Sequence, residues 1–147
     1  MLSWLFDRII AYAIKRNEYL SIVRHEDQVK LLTRYIVFRR DEWVSPTGKV
    51  YDKLPWWCPF NLFVHEWTHA HNEQMHDHPR WSITVVLKDT IVEHTPWNHR
   101  VLTPGSIVFR THKTIHALTY FEGEQPWTLF IVGRRKHRQN GYTVKPF

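Results

Sequence analysis

The chain has a single cysteine, Cys58, in 147 residues. That excludes an intramolecular disulfide framework and a cysteine-rich zinc ribbon. Nothing argues against a reducing compartment, and a cytoplasmic location is expected. No apolar run reaches the roughly 18 residues at which a transmembrane helix becomes a candidate, so no membrane partner is expected. The first 16 residues look apolar, but Asp7 and Arg8 interrupt them too early for the core of a signal peptide. Glycine is scarce, at five residues, and no low-complexity segment or internal repeat stands out. With 43% hydrophobic residues the composition is not that of a disordered chain. Acidic residues are missing from positions 134–147, where Arg134, Arg135, Lys136, Arg138 and Lys145 carry most of the net charge of +6. One end is basic and the rest is nearly neutral. The length is that of one domain, and about 68–70% of the unfolded surface would be buried on folding.

Tryptophan and histidine are abundant, with eight and eleven residues. Leu2, Leu5, Phe6, Ile9, Ile10 and Ala13 recur at helical spacing, so residues 4–17 are expected to form an amphipathic helix capped by Ser3. Its apolar face would lie against the body of the protein or against a second copy in a homodimer. Beyond it the period changes to two. Strands are expected at 29–38, 60–67, 81–87, 90–94, 99–103, 106–111, 115–121 and 127–133, rich in Val, Ile, Thr and aromatics. Thr103-Pro104-Gly105 and Glu122-Gly123-Glu124 read as turns, and 41–59, with Pro46, Pro55 and Pro59, as a long loop. Short strands at close spacing suggest a sandwich or barrel. The expected organisation is an N-terminal helix over 1–20 and one all-β barrel over 28–147.

Metal chemistry is the first question for a histidine-rich chain, and two motifs compete. With eleven histidines, chance alone gives about one His-x-His pair; there are two, His69/His71 and His76/His78. His65-Glu66-Trp67-Thr68-His69 has the HExxH form. On a helix its histidines would share a zinc ion while Glu66 activates water, as in a metallopeptidase. Residues 60–67 favour a strand, however, which would separate His65 from His69 by about 13 Å. The alternative is His76-Asp77-His78. In an extended segment His76 and His78 point to one face and Asp77 to the other.

At this point the chain resembles the cupin superfamily. The first cupin motif has a glycine, five residues, HxH, three or four residues and a glutamate. The second has a glycine and, eleven positions later, a histidine, the spacing of Gly105 and His116. HDHPRWSITVVL, PGSIVFR and PWTLFIVG are similar to small uncharacterised cupin proteins of bacteria and phages, over roughly residues 60–135. The resemblance implies a double-stranded β-helix (jelly-roll) barrel and a metal held by His76, His78 and His116. Several positions depart from the motifs: Ser82 or Ile83 stands for the glutamate, Ala70 and Asp89 for glycines, Thr111 and Lys113 for a proline and a glycine, and Tyr120 for an asparagine. Three histidines without a carboxylate result, although Glu93 on the next strand could restore one. The triplet is similar to that of thiol dioxygenases, which favours Fe(II); Zn, Cu, Mn or Ni also suit or accept such sites.

The resemblance thus implies a metal-dependent small-molecule protein, an Fe(II) oxidoreductase or dioxygenase first. Tyr120 is the candidate catalytic proton donor, with Arg80 and Trp127 lining the substrate site, the arginine for an anionic group. His112 is expected to face solvent. The competing readings are a non-enzymatic ligand-binding cupin, the HExxH zinc peptidase, and nucleic-acid binding through the basic segment at 134–138, which no recognised nucleic-acid module accompanies.

Overall fold

The computed structural model describes residues 2–23, 29–38, 42–44, 50–52, 57, 59–68, 75–78 and 80–133. Cys58, His69, His71 and the basic segment from Arg134 onward lie outside the described residues, as does much of the expected loop at 41–59. The described chain is one helix, α1 (Leu2–Arg16), followed by eleven strands: β1 (Tyr19–Val23), β2 (Lys30–Ile36), β3 (Glu42–Val44), β4 (Val50–Asp52), β5 (Phe60–Trp67), β6 (Ser82–Lys88), β7 (Ile91–His94), β8 (His99–Leu102), β9 (Ile107–Arg110), β10 (Ala117–Thr119) and β11 (Trp127–Gly133). Six strands form one antiparallel sheet in the order β1-β2-β5-β11-β6-β9. Three more form a second sheet, β10-β7-β8, and β3-β4 is a separate hairpin. None of the described helices is long and apolar enough to cross a membrane.

Two expected elements differ. α1 begins at Leu2, so Ser3 sits inside its first turn and does not precede the helix as a cap. Its other end is closed by Asn17, whose φ of 53° is the left-handed conformation common after a last helical turn. Strand β1, which the sequence reading missed, follows at once and pairs with β2. The hairpin β3-β4 occupies part of the stretch expected to be loop. The strands at 60–67 and 127–133 fall where the alternation places them.

The alternation decides which side chains face inward. Asn61, Phe63, His65 and Trp67 of β5 share one face, and Thr128, Phe130 and Val132 of β11 lie across from His65, Phe63 and Asn61. The indole of Trp67 donates to the Thr128 hydroxyl at 3.3 Å on this face. An apolar layer of Leu32, Trp67, Val86, Ile91, Leu102, Val108 and Tyr120 fills part of the interior. The remainder is polar, with Asn61, His65, Ser82, Thr84, Glu93, Arg110 and His116 all buried.

The opposite face of the large sheet is covered by α1. Phe6 and Ala13, at helical spacing, pack with Val64, Leu87 and Trp127. A tight turn carries the chain from β8 in one sheet to β9 in the other: Gly105 has φ +94°, and its N–H bonds the Val86 carbonyl of β6 at 2.8 Å. Asp89, standing where the cupin motif has a glycine, is also left-handed, at φ 55°. Aspartate tolerates this region better than most residues, and its Oδ2 accepts the Gln125 N–H at 3.0 Å.

Phe6 is the main anchor of α1, at 8% exposure. Phe6→Ala is expected to lower the unfolding free energy by about 3 kcal/mol, within the range for large-to-small core changes. Urea denaturation followed by circular dichroism measures this, and a loss below about 1 kcal/mol would contradict the packing described.

Candidate metal centre

His76 and His116 form an isolated antiparallel bridge. The N–H of each bonds the carbonyl of the other, both at 2.9 Å. Cross-strand partners project to the same face, and His78, two positions along an extended segment, projects with His76. Three imidazoles therefore converge although 38 positions separate His78 from His116. Their ligand atoms all lie within 4.8 Å of one another. The Nε2 of His78 stands 3.2 Å from that of His76 and 3.0 Å from that of His116.

These short contacts are not explained by hydrogen bonding alone. A neutral ring nitrogen carries either one proton or one lone pair, so His78 Nε2 cannot bond both neighbours. Neighbouring donors on one divalent ion with bonds of about 2.1 Å stand roughly 3.0–3.4 Å apart, which is the spacing of His78 from each of the other two. The donor set fits a metal, and the cluster could bind one; three imidazoles do not by themselves select its identity.

The protonation states agree. Burial, with the charges of the other two histidines, Arg110 and Arg34, pushes His78 well below its ordinary value of 6.5. His116 falls to about 4, driven first by burial, with the Glu93 hydrogen bond opposing. Both rings are neutral at pH 7 and keep a lone pair. His116 Nδ1 lies 3.0 Å from Glu93 Oε1. Glu93 is ionised: burial would raise its carboxyl, but the bonds from His116, Arg110 and Arg100 outweigh this and hold it at about 2. The His116 Nδ1–H therefore donates to Glu93, and Nε2 is left free to face the cluster.

Glu93 is the residue that motif reading left unplaced. It does not approach the cluster as a fourth donor but sits behind His116, fully buried. Arg110 Nε donates to its Oε1, Arg100 donates to its Oε2 at 2.6 Å, and Arg110 also reaches the Thr84 hydroxyl at 2.6 Å. Ser82, one of the two positions at which the resemblance puts a glutamate, is buried on β6. Its buried hydroxyl has no hydrogen-bond partner among the described residues.

The other expected site residues occupy different parts of the fold. Arg80 is buried two positions beyond His78. Tyr120 packs in the apolar layer with Ile91 and Val108. Trp127 lies on the outer face under α1, stacked on Tyr35 with ring centroids 5.7 Å apart. The peptidase reading needs residues 62–71 to be helical, and 62–67 are strand. His65 faces inward while Glu66 faces outward and accepts from Tyr35 at 3.0 Å and Gln125 at 2.9 Å. His65 and Glu66 cannot act on one zinc-bound water from opposite faces of a strand.

No protein-family model and no curated protein sequence matches the chain. Solved structures do. The chain is similar to a cupin-2 domain protein of Rhodospirillum rubrum, with TM-score 0.62, 13% identity, and coverage of 87% of this chain and 74% of that one. The polyketide cyclase RemF of Streptomyces resistomycificus gives TM-score 0.58 and 16% identity over 82% of this chain and 78% of that one. The DMSP lyase DddQ of Ruegeria pomeroyi gives 0.56 and 15% over 91% and 68%. The chain has the cupin fold, a mostly β barrel preceded by one helix.

Two outcomes follow. Glu93→Gln should weaken metal binding by about 10–100-fold, the usual effect of losing a group that orients a ligand. Competition against a chromophoric chelator measures this, and unchanged affinity would contradict the role given to Glu93. In the metal-free protein, His78 and His116 titrate lower when folded than the 6.5 of an unfolded imidazole. Between pH 6.5 and about 4 the unfolded state then binds more protons, so stability rises with pH. Their contribution is complete above about pH 6.5 and lost as pH falls toward 4; denaturation curves that do not change over this window would contradict it.

Proposed function

We propose that the chain is a metal-dependent small-molecule cupin in which His76, His78 and His116 hold one divalent ion. The observation that carries the reading is the close approach of three imidazole nitrogens at 3.0 and 3.2 Å. Fe(II) is the first choice of metal and dioxygenation the first choice of reaction, on the similarity of the triplet to that of thiol dioxygenases. Bound iron would supply redox chemistry with oxygen. The chain's own residues do the rest. Glu93 orients His116, and the neutral rings of His78 and His116 offer lone pairs.

A second reading is conversion without oxygen, since two solved structures of this fold are titled as a polyketide cyclase and a DMSP lyase. The metal separates the two. Protein purified without chelator or affinity tag should contain about one iron per chain for the first reading. Zinc at that level, which has no redox chemistry, would favour the second. A metal-free wild type that also fails to take up added Fe(II), Zn(II) or Ni(II) would refute both.

His116→Ala should lose most of the metal, while His112→Ala and His69→Ala keep theirs, as read by elemental analysis. Full retention by His116→Ala with loss by His69→Ala would contradict the ligand assignment.

A further inference from the structure

Helix α1 exposes a side that neither the core nor the candidate metal centre uses. Phe6 and Ala13 face the sheet. On the opposite side of the helix lie Trp4, Arg8, Ala11 and Lys15, each three or four positions from the next and all exposed. Leu5 and Tyr12 flank this stripe on one side, Asp7 and Ile14 on the other. Leu2 and Trp4 are exposed to 62% and 63%. Of the fifteen large apolar side chains exposed among the described residues, five are on α1. Two more, Tyr19 and Leu20, are on β1 just past the turn at Asn17. Nearly half of the exposed apolar side chains are thus concentrated in this one short part of the chain.

Positive charge accompanies them. α1 carries Arg8, Lys15 and Arg16 against a single acid, Asp7. Arg16 pairs with Glu18 at 3.3 Å. Arg8 and Lys15 stand on the outward stripe itself, and the Arg8 guanidinium lies 5.1 Å from the centre of the Trp4 ring. A cation held over an indole keeps its charge and sits beside an apolar group. Tryptophan and tyrosine, with an apolar body and a polar tip, together with leucine and long cations, suit an element lying in the headgroup layer of a bilayer.

A second copy of the chain fits this stripe less well. Two-fold pairing sets the same patch against itself. Arg8 and Lys15 would then face their own counterparts, and juxtaposed like charges oppose association. Anionic lipid supplies the opposite sign along the whole stripe. The expectation of no membrane partner rested on the lack of an apolar run long enough to span. A helix of 15 residues that lies along a surface has no need to span.

We propose that the outward stripe of α1 docks on a membrane surface rich in anionic lipid, with Trp4, Leu5 and Tyr12 in the headgroup layer and Arg8 and Lys15 against lipid phosphates. The helix is the contact and the barrel stays in water. The three histidines take no part, so the inference stands apart from the metal centre.

The test uses the full chain and co-sedimentation with vesicles of phosphatidylcholine alone or with about 30% phosphatidylglycerol, an anionic lipid. Binding to the anionic vesicles should exceed that to the neutral ones at least about tenfold, and should fall as salt is raised. Arg8→Gln with Lys15→Gln should weaken it about fivefold per cation removed. Trp4→Ala with Leu5→Ala should weaken it about tenfold or more. All four positions are exposed, so both double variants should keep the fold, which circular dichroism checks. Trp97→Ala removes an indole exposed to 93% on the β7–β8 turn and should bind as wild type does.

No binding to anionic vesicles at low salt would overturn the proposal, as would equal binding to neutral ones. Binding that survives both double substitutions, whether carried by the basic run at 134–138 or by another surface, would overturn it too. So would an equal loss in Trp97→Ala. A dimer in lipid-free solution that Trp4→Ala dissociates, read by analytical ultracentrifugation, would assign the stripe to a second copy instead.

Discussion

A fully buried carboxylate is costly unless it is paired and hydrogen-bonded, and Glu93 meets that requirement with three partners. They come from β8, β9 and the His116 bridge: Arg100, Arg110 and His116. Glu93 itself is on β7 in the smaller sheet, whereas Arg110 belongs to the edge strand of the larger one. The same contacts therefore join the two sheets and aim His116. Removing one member of such a network leaves an unbalanced buried charge, at a cost of about 3–5 kcal/mol. The three-histidine cluster depends on this network because the direction of the His116 lone pair follows from where its proton is held.

The two faces of β5 show how a one-residue period separates stability from chemistry. Val64 packs outward with Phe6, Leu87 and Trp127 under α1. Phe63 and His65 face inward, beside Arg34 and Phe130. Helix α1 contributes no side chain to the cluster of histidines and acts on the site only by covering the sheet that carries its wall. The inward face is divided again, into an apolar layer and a polar one. A hydrophobic core and a buried polar cluster thereby share one barrel.

Much of this was legible in the chain. Alternation placed β5 and β11 because both strands are long and dense in β-branched and aromatic residues. It missed β1 and the hairpin β3-β4, strands of five and three residues whose identity depends on pairing with a neighbour. The HxH pair and the Gly105–His116 interval marked three histidines that the fold brings together. Glu93 was not assignable, because its partners lie 7, 17 and 23 positions away and nothing local marks them. Trp127 was set in the site although its parity with Leu129 puts it outside, opposite Thr128 and Phe130. The HExxH pattern failed for the same reason, since on a strand adjacent residues diverge.

Histidine nitrogen-15 NMR of the uniformly labelled chain, before and after one equivalent of Zn(II), tests the three-histidine centre most directly. Before metal, His116 should show a protonated Nδ1 and a free Nε2, the tautomer that Glu93 imposes. After metal, the Nε2 signals of His76, His78 and His116 should all move to metal-bound positions while that of His65 stays where it was. A protonated Nε2 on His116, or zinc that shifts fewer than these three rings, would contradict the metal centre described.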